Sequence, residues 1–183
     1  MHGLKLIVRS KPLKYDWIAV GDDDLFWQTN RLQRALSSYD CTRPILFRMP
    51  AYQTVRFELG YLVNGKAVTE DVPSGATAAG LILSKGLIEY MGAYLSWDKA
   101  SIRQYCKKGH QGDDTTINYL GAFLGVRPTS LPGLTYEHPS LTKPYPEQIT
   151  YHGRLRTGGN ASIFAAFMSE YYTNSDAVCR VGQ

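Results

Sequence analysis

With 183 residues, 44% of them apolar and 20% charged, the chain is long enough for one well-developed core and short for two, which excludes general disorder and predicts a single domain over 1–183. Lys and Arg number 20 against 16 Asp and Glu, a formal net charge of +4, accompanied by 13 Tyr and 3 Trp, a mixture suited to phosphates, to bases and equally to protein interfaces. Cys41, Cys106 and Cys179 form no Cys-x-x-Cys pair, no secretory signal pattern opens the chain, and Lys85, Glu89 and three glycines interrupt the apolar stretch 78–97; a disulfide framework, a structural zinc site and a membrane partner are excluded on this reading, and a cytoplasmic location is expected.

Leu4, Leu6 and Val8 alternate with Lys5, Ile7 and Arg9, the pattern of a strand with one apolar face, and residues 17–20 continue the sheet. Asp22, Asp23 and Asp24 precede Leu25, Phe26 and Trp27, with Leu32 and Leu36 at helical spacing and Arg31 and Arg34 further on. Acid before base predicts a helix that begins at the aspartates. Residues 44–49 read as a strand. Val55, Phe57, Leu59, Tyr61 and Val63 then alternate with Arg56 and Glu58 ahead of Asn64-Gly65, which predicts a hairpin with a type I′ turn and a returning strand from Lys66.

Residues 75–97 turn helical in pattern, with Gly80, Gly86 and Gly92 six apart, each marking either a break or a close neighbour. Further helices are predicted over residues 98–108, ended by Gly109, and 114–124, ended by Gly125. Five of the nine prolines fall in 127–148, an extended loop long enough to be functional or to dock on a protein partner. A terminal basic strand and a helix striped by Ile163, Phe164, Phe167, Met168 and Tyr171 complete the pattern. The order predicts an α+β fold, an antiparallel sheet with packed helices, compatible with a ferredoxin-like core that carries helical and loop insertions.

The most informative stretch is 149–172. Strand alternation puts His152, Arg154 and Arg156 on one side, and Gly158, Gly159 and Asn160 lead into a helix start whose free amides carry partial positive charge. A phosphate is the expected ligand, held by the two guanidiniums and the loop amides, with His152 available for acid–base work if the chain is an enzyme. A second cationic row, Lys99, Arg103 and Lys107, extended by Lys108 and His110, recurs at helical spacing. Such a row tracks a nucleic-acid backbone or is a solvated face.

Cys106 and His110 are four apart but have no second ligand pair in view, so no metal site and no cofactor are expected. The runs Asp22–Asp24 and Asp113–Asp114 could hold a cation, yet both sit where a helix start wants acid, and capping is the preferred reading. No short catalytic signature is present. The expectation is therefore a non-catalytic, RNA-binding subunit of a ribonucleoprotein or similar assembly, with protein partners docking on 127–148. A metal-independent endoribonuclease using His152 and a viral or assembly structural protein are the alternatives.

Overall fold

The structure is a computed structural model that describes residues 2–9, 12–22, 25–49, 53–74, 79–110, 112–135 and 148–152. The described residues form five helices and eight strands: α1 (His2–Arg9), β1 (Trp17–Val20), β2 (Leu25–Trp27), α2 (Thr29–Leu36), β3 (Leu46–Arg48), β4 (Gln53–Val63), β5 (Lys66–Ser74), β6 (Leu81–Ser84), α3 (Lys85–Tyr94), α4 (Lys99–Lys108), α5 (Asp113–Phe123), β7 (Thr129–Ser130) and β8 (Thr150–His152). The α+β class expected from the sequence is the class observed.

The main sheet has the order β1-β6-β3-β7, with β6 antiparallel to both neighbours and β7 parallel to β3. Its centre is β6, whose four residues are all buried, the reason a short continuous apolar run rather than an alternating one occupies it. Alternation along the strands divides the interior in two. Leu46, Leu81 and Leu83 pack on one side with Val8, Ile88, Met91, Leu120 and the hairpin residues Phe57 and Val72, whereas Phe47 and Ile82 pack on the other with Leu36, Leu131, Leu134 and Ile149.

β1, α2 and β3 with β6 between the two strands reproduce the split β-α-β half of a ferredoxin-like core. The fourth strand departs from it, because β7 joins the sheet beside β3 and parallel to it instead of antiparallel beside β1. The β4–β5 hairpin forms a separate two-stranded ribbon, with Asn64 at φ 50° and Gly65 at φ 73°, as a type I′ turn requires.

Three predicted elements change. The N-terminal stretch is a helix rather than a strand, because Leu4, Ile7 and Val8 also lie at i, i+3, i+4 and pack onto the core while Leu6 stays 58% exposed. Gly92 of α3 admits this helix closely, since a Cβ there would stand 3.1 Å from Val8 Cγ1. The helical reading of 75–97 divides into β6 and α3 at Ser84. The buried Ser84 hydroxyl accepts from the amides of Ile45 and Leu87 and donates to the Arg43 carbonyl, so one side chain caps α3 and ties it to the segment leading into β3. Finally, residues 25–27 form β2 rather than the first turn of a helix.

Candidate functional site

β1 and β3 run parallel to each other, each antiparallel to β6, so their carboxyl ends emerge at one edge of the sheet together with that of β7. Val20, Leu81, Arg48 and Ser130 stand level in a single row across the four strands at that edge. The carboxyl ends of strands are where open sheets commonly receive ligands, because chain leaving them is free to form loops. The chain leaving β1 is Gly21-Asp22-Asp23-Asp24, and the Leu25 amide donates back to the Asp22 carbonyl at 3.1 Å.

The structure removes the reason for reading these aspartates as a helix cap. Helix α2 begins only at Thr29, its N-cap is Gln28, and no side chain caps it. The acidic run instead joins two strands, with Asp22 exposed. Two glycines let β2 lie against the sheet edge. A Cβ at Gly21 would stand 2.4 Å from Leu25 Cδ2, and one at Gly80, whose φ is +80°, would stand 2.6 Å from the Trp27 ring. β2 pairs in turn with β8, placing Leu25 opposite His152 and Trp27 opposite Thr150. Register thus brings His152 beside the residue that follows Asp24 in sequence, a link between two candidate sites more than 120 positions apart.

Arg48 has the same row position on β3. It is only 4% exposed, and its Nε and Nη1 are buried without a hydrogen-bond partner. Burial pushes its guanidinium below the ordinary arginine pKa. Sequence reasoning passed over this residue, although a cation among Ile45, Leu46, Phe47 and Met49 was a visible irregularity.

The other predicted residues are less concentrated. Lys99, Arg103 and Lys107 do fall on the exposed side of α4, whereas Lys108 is half-buried and pairs with Glu58 at 2.9 Å. Asp98 caps α4 by accepting from the amides of Ala100 and Ser101, and these bonds together with the Ser96 and Ser101 hydroxyls hold its carboxyl far below the usual range. His110 stacks on Phe57 with ring centroids 5.7 Å apart. The described residues contain no group of three His, Cys, Asp or Glu able to hold a metal. Asp113 and Asp114 lie in the first turn of α5, but the N-cap is Gly112 and no side-chain cap bond forms there, so the capping expected of the aspartates is not observed.

Asp23, Asp24, Arg154, Arg156, Gly158, Gly159 and Asn160 lie outside the described residues, as do the helix expected after residue 160 and most of the Pro-rich stretch.

A family model described as Fringe-like matches residues 5–163, and the chain belongs to that family. No curated protein matches it. The family is glycosyltransferase-like, of the β-1,3-N-acetylglucosaminyltransferase kind, and this overturns the functional expectation. A non-catalytic RNA-binding subunit, an endoribonuclease and an assembly structural protein are all set aside, and with them nucleic acid and docked assembly subunits as the partners. Sugars take their place as the family's substrates. Fringe-like proteins are typically lumenal enzymes of the secretory route, so the cytoplasmic expectation falls as well. No helix among the described residues is long and apolar enough to cross a membrane.

The error has a physical origin. A nucleotide sugar and an RNA both present phosphate oxygens, and arginines, aromatic rings and backbone amides serve either.

Proposed function

We propose that this chain is a glycosyltransferase that passes an N-acetylglucosamine-type sugar from a nucleoside-diphosphate donor to an acceptor hydroxyl, with the donor bound at the sheet edge where β1 and β3 end. The observation that carries the reading is the acidic turn. In a chain of the Fringe-like family, Asp22–Asp24 follow a sheet strand and cap no helix.

In the transfer, the acceptor oxygen bonds to the anomeric carbon and gives up its proton to solvent, the bond from that carbon to the phosphate oxygen breaks, and the nucleoside diphosphate leaves with the electron pair. Negative charge therefore grows on the diphosphate, and stabilising it is the main electrostatic task. The residues present suit a divalent cation: adjacent carboxylates are hard oxygen donors, Asp22 is exposed, and His152 stands in register with the next strand position. Asp22–Asp24 with His152 would hold such an ion, which when bound supplies positive charge to the leaving diphosphate. Arg154, Arg156 and the Gly158–Asn160 amides, read from sequence as a phosphate site, would then contact the same diphosphate rather than an RNA backbone.

The test uses purified protein, UDP-N-acetylglucosamine, a panel of glycan acceptors and manganese, with UDP release and product mass as readouts. Wild type is expected to transfer only with the metal. Asp22→Asn and Asp24→Asn are each expected to lose about 100-fold or more, the order seen when one transition-state electrostatic partner is removed. Undiminished transfer by both variants would refute the assignment of the acidic turn.

A further inference from the structure

Arg48 stands out because nothing among the described residues accounts for its charge. A guanidinium offers five N–H donors in a planar fork, and burying one without partners is strongly unfavourable. Yet Arg48 is 4% exposed with Nε and Nη1 unpartnered. Its strand neighbours are Leu81 and Ser130, neither of which carries a carboxylate. The cations that do form ion pairs between described residues are placed differently: Arg56 with Asp71, Lys108 with Glu58 and Arg127 with Glu70 all involve exposed or half-exposed side chains.

Position supplies the second part of the argument. Arg48 is the last residue of β3 and stands level with Val20, the last residue of β1, with one strand between them. Two inter-strand spacings, about 10 Å in all, separate the ends of β1 and β3 at Val20 and Arg48. A carboxylate-bound cation, its diphosphate and an extended arginine span such a gap together. Phosphate is also the anion that matches the fork, accepting two parallel N–H bonds.

We infer that Arg48 is a donor-binding residue whose unpartnered guanidinium takes the diphosphate of the nucleotide sugar from the side opposite the acidic turn. This rests on the donor-edge reading proposed above and adds a residue to it. The donor is then held between Asp22–Asp24 at the end of one strand and a cation at the end of another. Arg48 completes its hydrogen bonding only when the ligand is present.

Calorimetric titration of the full chain with UDP, uridine and inorganic pyrophosphate, each with manganese, tests the inference in wild type, Arg48→Met and Arg48→Lys. Wild type is expected to bind UDP and pyrophosphate. Arg48→Met should weaken both about 10- to 100-fold, the loss of a charge-assisted pair, with uridine unaffected. Arg48→Lys should recover part of the loss, since it keeps the charge but not the fork. Ligand-free Arg48→Met should melt no lower than wild type, because it removes an unpaired buried charge; a lower melting temperature with unchanged UDP affinity would assign Arg48 a structural role and overturn the inference. Equal UDP affinity in wild type and Arg48→Lys overturns it even if the methionine variant does not fold. A wild type that binds none of the three ligands refutes the donor-edge reading itself, a different outcome from a wild type that binds UDP independently of residue 48.

Discussion

Gly80→Ala probes the contact that seats β2 on the sheet edge, and a matched control lies in the same chain. Gly80 has φ +80° and Gly60 has φ +82°, so an alanine at either position meets nearly the same backbone strain, about 1–2 kcal/mol for an L residue in the left-handed region. Their surroundings differ. A Cβ at Gly60 has nothing within 4 Å, whereas one at Gly80 meets Trp27 Cη2 and Cζ2 at 2.6 Å and Leu25 Cδ2 at 2.8 Å. Leu25 is buried and Trp27 packs on the inner cluster, so neither moves without disturbing β2, and overpacking adds about 1–3 kcal/mol. Urea unfolding of both variants should therefore show Gly60→Ala about 1–2 kcal/mol less stable than wild type and Gly80→Ala about 2–5 kcal/mol less stable. Because the acidic turn leads directly into β2, Gly80→Ala should also weaken manganese-dependent UDP binding, and Gly60→Ala should not. Equal unfolding midpoints for the two variants would show that β2 does not press on Gly80 and would remove the support given to the turn.

Ser84→Ala removes a buried hydroxyl that serves Arg43, Ile45 and Leu87 and should cost about 2–3 kcal/mol in urea unfolding, more than an exposed cap; a loss under about 0.5 kcal/mol would contradict its linking role. For Asp98, the depressed carboxyl pKa means that its stabilisation is complete above the ordinary aspartate value of about 4 and is lost as pH falls through the folded-state value. The gap in urea midpoint between wild type and Asp98→Ala should then be level from pH 7 to 5 and narrow only in stronger acid, and a gap that widens on acidification would reverse the assignment. The triple variant Lys99→Ala/Arg103→Ala/Lys107→Ala, all on an exposed helix face, should keep wild-type UDP affinity and transfer rate, and a tenfold loss in either would return that face to the site.

The amino-acid sequence by itself determined the elements whose signals are local. Asn64-Gly65 supplied the hairpin turn, Asp98 and Gly109 bounded α4, and Gly125 marked the end of α5, because turns and helix ends are closed by the side chains and backbone angles of the residues within them. Tertiary structure decided the rest. Residues 4–8 satisfy both the two-residue and the 3.6-residue period, and only packing against α3 chose the helix. Gly86 read equally as a break or as a close approach, and it lies inside α3 where a Cβ would stand 2.0 Å from the Thr42 carbonyl oxygen, a neighbour 44 positions away. The acidic turn kept its meaning hidden for the same reason. Three carboxylates have identical local appearance before a helix and before a strand, and what separates a helix cap from a strand connection is the pairing of β2 with β8, a contact made between residues that the chain order holds far apart.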